Sequence, residues 1–213
     1  CKSKQIKDNY LTADIHAIRS RAHYCSNQIA DSFRCIASGL HVCSSMGEGS
    51  ENYIRQFILT IAKMMFSFKR FSMGMKVILQ LEAKRKSRAV KSRGNYVIQK
   101  DEIELEFESL KIKLHYKMKK YSKATEVFEN LHTKFMLDNV NQTMGASGPT
   151  VIEIYSYGIQ SYLKMNDSLR ALQIHEDFLS IIEYNFEDNK LFYGLACCLK
   201  GLIMLEIGRA SCR

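Results

Sequence analysis

The sequence predicts an all-α protein of α-α hairpins stacked as a short solenoid, and three observations carry that expectation. Apolar residues recur at steps of three and four along most of the chain, the spacing that places them on one stripe of a helix. Breakers are scarce, with one Pro and 11 Gly in 213 residues, so stretches rich in Leu, Ile, Met, Lys and Glu favour helix over strand. Finally, one pattern recurs: KRFSMGMKVILQL at 69–81 aligns without gaps on KKYSKATEVFENL at 119–131, and YLKMNDSLRALQIHEDFL at 162–179 is a third copy.

Ile29, Phe33, Ile36, Leu40 and Cys43 trace one stripe and predict a helix over about 27–43. Gly47, Glu48 and Gly49 break it, and Ser50 stands where it can cap the next helix. Ile54, Phe57, Ile58, Ile61, Met65 and Phe68 then predict a second, well-buried helix. Asp101 with Glu104 has the spacing of a capping box, and Ile103, Phe107, Leu110 and Leu114 form one face behind it. Further helices are expected at about 151–164, 168–184 and 189–206. Residues 1–50 show helical periodicity without the repeat, so N-terminal helices, or a divergent repeat, are expected there, ahead of a repeat region over 51–206.

The copies lie 50 and then 47 residues apart. The first two share a basic pair, an aromatic, a Ser, a small residue (Gly74, Ala124), then Val77 or Val127 and Leu81 or Leu131. The third places Ala171 at the small position, with Ile174 and Phe178 below it. A small residue is needed there because the second helix of a hairpin crosses close to the first, and a bulkier side chain would hold them apart. A lone hairpin cannot bury its apolar face, so hairpins stack. On these residues the chain resembles tetratricopeptide repeats, with Tyr121, Ala124 and Phe128 at the spacing of that motif's second helix. It is also similar to pentatricopeptide repeats, whose pattern Tyr155, Ile159, Tyr162, Lys164, Asn166, Ala171 and Ile174 follow, and Phe186 to Leu205 looks like the opening of another unit. Repeats of both kinds run to about 34 residues, so insertions are expected at about 82–100 and 138–149.

With 46% hydrophobic and 25% charged residues the chain has a globular composition. Ile207 to Arg213 resembles the translation of a common sequencing adapter, so this tail is set aside as non-native and the chain is read as a fragment. Without Arg209 and Arg213 the formal charge falls from +9 to +7, still basic. The most apolar run, Phe57 to Phe66, contains Lys63 and is shorter than the roughly 20 residues a bilayer crossing needs, so no membrane partner is expected. Seven Cys follow no disulfide-framework spacing, and Cys197 adjoins Cys198. A reducing, intracellular compartment is expected, cytoplasmic or nuclear.

Lys84, Arg85, Lys86, Arg88, Lys91 and Arg93 form a basic patch without an intervening acid, suited to phosphate contact or nuclear import, though a solvated linker explains it more simply. His23 with Cys25, His41 with Cys43, and Cys35 have zinc-ligand chemistry, but helical residues two apart diverge by about 200°, so no metal is expected. Asp101, Glu102, Glu104 and Glu106 suit a helix N-terminus. His115, His132 and His175 fall at different registers without a nucleophile elbow. Met64, Met65, Phe66, Phe68, Phe71, Met73 and Met75 read as core. No catalytic residue, cofactor or small-molecule substrate is indicated, although an accessory region of a larger enzyme would look the same. The resemblance implies a scaffold holding an acidic peptide or partner helix on the first helix of each hairpin, near Lys63, Ser67, Lys113, Lys117, Gln160 and Lys164. The alternative it implies is a pentatricopeptide-type binder of single-stranded RNA, in an organelle.

Overall fold

The computed structural model describes residues 2–46, 50–91, 102–137, 148–185 and 189–211. Among these the elements are nine helices: α1 (Lys2–Cys25), α2 (Ile29–Met46), α3 (Glu51–Ser67), α4 (Phe71–Lys91), α5 (Glu102–Lys117), α6 (Tyr121–Leu137), α7 (Gly148–Lys164), α8 (Ser168–Asn185) and α9 (Lys190–Ser211). The chain divides into two compact units, Cys1–Val97 holding α1 to α4 and Ile98–Arg213 holding α5 to α9.

One turn, used four times, makes the hairpins. Asn27, Lys69, Lys119 and Asn166 have φ of 58°, 58°, 59° and 61°, the left-handed region. At each, two backbone bonds close the preceding helix. The N–H of Lys69 donates to Phe66 O at 2.9 Å and that of Arg70 to Met65 O at 2.8 Å, and the same pairs recur as Lys119 to Tyr116, Lys120 to His115, Asn166 to Leu163, Asp167 to Tyr162, Asn27 to Tyr24 and Gln28 to His23. This is the Schellman arrangement, which satisfies carbonyls left open at a helix end. Rings repeat across it as well, Phe66 to Phe71 at 5.4 Å and Tyr116 to Tyr121 at 5.6 Å between centroids.

Five residues after the left-handed residue stands the small position. Gly74, Ala124 and Ala171 are all buried there, as the repeat predicts. The first hairpin obeys the same rule with Ser32, which is wholly buried and whose Oγ donates to Ser20 O on the facing helix at 2.7 Å. Helices α1 and α2 thus form a fourth hairpin, hidden from sequence alignment because serine replaces the Gly or Ala and satisfies its own hydroxyl.

Each unit stacks its hairpins in one way: the first helix of a new pair packs against both helices of the pair before it. So α3 touches α1 and α2, α7 touches α5 and α6, and α9 touches α7 and α8. Glycine permits the closest approach at two of these junctions. A Cβ on Gly39 of α2 would stand 2.1 Å from the Phe57 ring of α3, and one on Gly158 of α7 would stand 2.4 Å from the Phe128 ring of α6.

Packing on two sides redistributes burial relative to the sequence expectation. In α3 the wholly buried side chains are Phe57, Ala62 and Met64, while Ile54, Ile58, Ile61 and Met65 are half-buried and Phe68 is exposed. In α5, Phe107, Leu110 and Leu114 are buried as expected, joined by Ser109 and Ile112 on a second face. The aromatic and methionine series divides accordingly: Met64 and Met75 are core, Met65, Phe66 and Phe71 half-buried, Phe68 and Met73 exposed. Ser50 is helical in backbone and makes no side-chain capping bond, contrary to expectation. Asp101 lies outside the described residues. Helix α4 runs on to Lys91, into the stretch expected to be an insertion.

Gly158→Ala should lower the unfolding free energy by about 1–3 kcal/mol in denaturant titration, because Phe128 is buried on every side and cannot retreat. Shortening the ring in the same chain, Phe128→Leu, should recover part of that loss as a favourable coupling.

Candidate binding surface

The turn sets a common register for the expected site residues. Ser67, Lys117 and Lys164 each stand two positions before a left-handed residue, and Lys63, Lys113 and Gln160 each stand six before. They occupy equivalent places on the first helices α3, α5 and α7. Lys63 and Ser67 belong to the first unit, the other four to the second.

In the second unit α5 and α7 lie side by side. Lys113 is mostly buried and donates to Glu153 of α7 at 2.9 Å, with its ammonium 5.8 Å from the centre of the Tyr157 ring. Tyr116 of α5 meets Tyr157 edge-on at 5.3 Å. Lys117 is exposed beside the Tyr116 ring, Gln160 is half-buried and Lys164 is exposed. In the first unit Arg21 of α1 donates to Gln56 of α3 at 2.7 Å, the same two register positions as Lys113 and Glu153. Arg21 and Lys113, each six before its turn, are therefore struts between successive hairpins of one unit. In that unit the Ser67 hydroxyl is hydrogen-bonded to Tyr24 Oη at 2.7 Å, and Tyr24 also reaches Lys63 O at 3.4 Å. Of the six expected binding residues, Lys117 and Lys164 are the exposed cations of the second unit's surface.

The basic patch is only partly described. Lys84 is exposed, the backbone of Arg85, Lys86, Arg88 and Lys91 is helical, and Arg93 lies outside the described residues. Of the zinc-like series, Cys43 is buried, which pushes its thiol up, whereas Cys25 is exposed and Cys35 half-buried. His23 is hydrogen-bonded to Gln28 at 2.6 Å.

Sequence reasoning did not foresee the polar network through α6, α7 and α8. Arg170 grips Glu129 with Nε at 3.0 Å and Nη2 at 2.8 and 3.0 Å, Tyr162 donates its hydroxyl to the same carboxylate, and Asp167 accepts the Arg170 N–H at 3.1 Å as a helix cap. Burial alone would push the Glu129 carboxyl up, but the Tyr162 and Arg170 hydrogen bonds and the Arg170 charge outweigh it and hold it low. Beside it His132 links Tyr155 Oη, at 2.9 Å from Nδ1, to Asp177, at 3.2 Å from Nε2. A base between a hydroxyl and an acid has the form of a nucleophile triad. Here the hydroxyl is wholly enclosed: Tyr155 is fully buried, stacked on Phe178 at 4.7 Å, and burial holds its phenol far above the usual range. The cluster braces three helices. Only the distance-blind identities of these residues were visible in the sequence, since 23 residues separate His132 from Tyr155 and 41 separate Glu129 from Arg170.

Burial also pushes the His132 imidazole below its ordinary value of 6.5, with Asp177 and Glu129 opposing only in part. The unfolded chain therefore binds more protons at this site, and stability present above about pH 6.5 is lost on acidification through that value. The thermal midpoint should fall between pH 7.5 and about 5.5, and His132→Gln should flatten that slope while lowering the midpoint at neutral pH. At still lower pH the depressed Glu129 adds loss of the same sign.

No protein-family model, no curated protein and no solved structure matches this chain.

Proposed function

We propose that the chain is a tetratricopeptide-like scaffold whose first helices hold an acidic peptide or partner helix within a larger assembly, binding it without chemistry. The observation that carries this reading is the surface shared by α5 and α7, where Lys117 and Lys164 stand exposed at equivalent register positions, Lys117 beside the Tyr116 ring that meets Tyr157. Exposed cations over half-buried aromatic surface suit carboxylates followed by apolar side chains. Further support comes from the repeated left-handed turn, the small residue five positions on, and, within each unit, the seating of a new first helix against the pair before it. Those are the features a tetratricopeptide resemblance implies.

Lys113 contributes less on this reading, because Glu153 already neutralises it. A fluorescently labelled acidic peptide pool, titrated by polarisation, should bind with an affinity that falls as salt rises. Lys117→Glu with Lys164→Glu should weaken binding by at least about tenfold, roughly 1.4 kcal/mol, whereas Lys84→Glu should not. Indifference to the double reversal would remove the proposed surface. Salt-dependent retardation of single-stranded RNA, with no acidic peptide bound, would favour the pentatricopeptide reading instead.

A further inference from the structure

The contacts between α5 and α7 show how far one helix is staggered along the other. Ser109 and Lys113 both reach Glu153, at 3.4 and 2.9 Å, and Lys113 and Tyr116 both reach the Tyr157 ring, at 5.8 and 5.3 Å from its centre. Partners rise together along the two helices, which therefore run in the same direction, with residues 40 to 44 apart in sequence standing level. The turns that follow, at Lys119 and Asn166, are 47 residues apart. Helix α7 thus runs past the end of α5 by about five residues, or ~7 Å.

Lys117 and Lys164 each stand two positions before their turn, so they inherit this stagger. Neighbouring helix axes lie ~8–10 Å apart, which together with the axial offset sets the two lysines roughly 12 Å from one another, on a diagonal across the seam. Both are exposed. Beside that diagonal lie the half-buried rings of Tyr116, Tyr121 and Tyr157, with Tyr116 meeting the other two at 5.6 and 5.3 Å between centroids. The seam is bridged by the Lys113 and Glu153 pair and by the Tyr116 and Tyr157 contact. Those bridges fill the furrow that a helix about 10 Å wide would need. A chain in extended form can lie flat over them.

We propose that the partner is an extended segment with carboxylates at positions i and i+4 and an apolar side chain at i+2, laid across the seam from Lys117 to Lys164. This rests on the scaffold reading of the same surface and deepens it. In an extended strand every second side chain shares a face, and i and i+4 stand ~13 Å apart, a separation the lysine side chains can match. Acids three apart would point to opposite faces. In a helix, acids four apart are only ~6 Å from one another, too near to span both lysines. The middle residue falls on the tyrosine cluster, where an apolar side chain leaves water for ring surface. On the other side of Lys117 the next cation, Lys113, is neutralised by Glu153, so a third acid there gains nothing.

The experiment is fluorescence polarisation of the full chain with blocked, labelled peptides of one composition. A peptide carrying Glu-Ser-Leu-Ser-Glu should bind at least about tenfold more tightly than one carrying Ser-Glu-Leu-Glu-Ser. Lys164→Gln should erase that preference, because one lysine cannot tell the two spacings apart. Lys119→Gln with Lys120→Gln, both exposed in the α5–α6 turn, should leave it intact. Equal binding of the two peptides overturns the inference and leaves the acidic-partner reading standing. So does tighter binding of a helix-stapled peptide with acids seven apart, which would give the surface to a partner helix. Binding of none of them, even at low salt, overturns both.

Discussion

A helix pair closed by a single left-handed residue leaves its two helices almost no clearance just beyond the turn. The chain must return within three or four residues, so the second helix meets the first about one and a half turns later, where side-chain volume decides whether the hairpin closes. Everything else in the structure depends on that crossing being narrow. Gly74, Ala124 and Ala171 meet the requirement by having little or no side chain. Ser32 meets it with a slightly larger one whose hydroxyl is returned to a carbonyl of the facing helix, so burial leaves no polar group unsatisfied. The left-handed residues are Lys and Asn rather than glycine. Asn tolerates the conformation readily. At Lys69 and Lys119 the backbone strain is offset by the paired Schellman bonds and the ring contact across the turn.

This constraint explains what could be read in advance. The small position was legible in three copies because its residue types are few and its neighbours repeat. The fourth copy was illegible because alignment compares residue types, whereas the fold asks only for small volume and a satisfied hydroxyl. Helix existence was legible from periodicity. The buried face was less so, because α3 is flanked by α4 and by the α1–α2 pair, and α5 by α6 and α7, which spreads burial around each rather than concentrating it in a stripe. The site residues were placed on the correct helices, but sequence could not show that Lys113 is tied to Glu153 while Lys117 and Lys164 are free of the struts between hairpins. That difference is made by α7, forty residues away in the chain.

The polar network illustrates the same division. Glu129, His132, Tyr155, Tyr162, Arg170 and Asp177 come from three helices whose relative rotation is fixed by the apolar contacts around Phe128. Once those contacts set the geometry, each partially buried charge finds a partner, and the carboxylate of Glu129 is held by three donor atoms. Removing one member would strand the rest, which is why such clusters specify one register of stacking more than they add to stability. Tyr155 and His132 are enclosed, while Glu129, Arg170 and Asp177 keep about a third of their side chains in solvent. The hydroxyl with the richest acid–base surroundings, Tyr155 Oη, is thus the one most removed from solvent, whereas Lys117 and Lys164 are exposed.

Helix α9 tests whether the stacking rule belongs to the hairpin or to the individual helix. Its inner stripe follows the rule of a first helix, seated on α7 and α8 with a histidine bond where the previous junction has a ring on glycine. Its outer side carries the exposed Leu191, Leu195, Leu202 and Leu205. Seating therefore requires only the pair already in place, not the helix that follows.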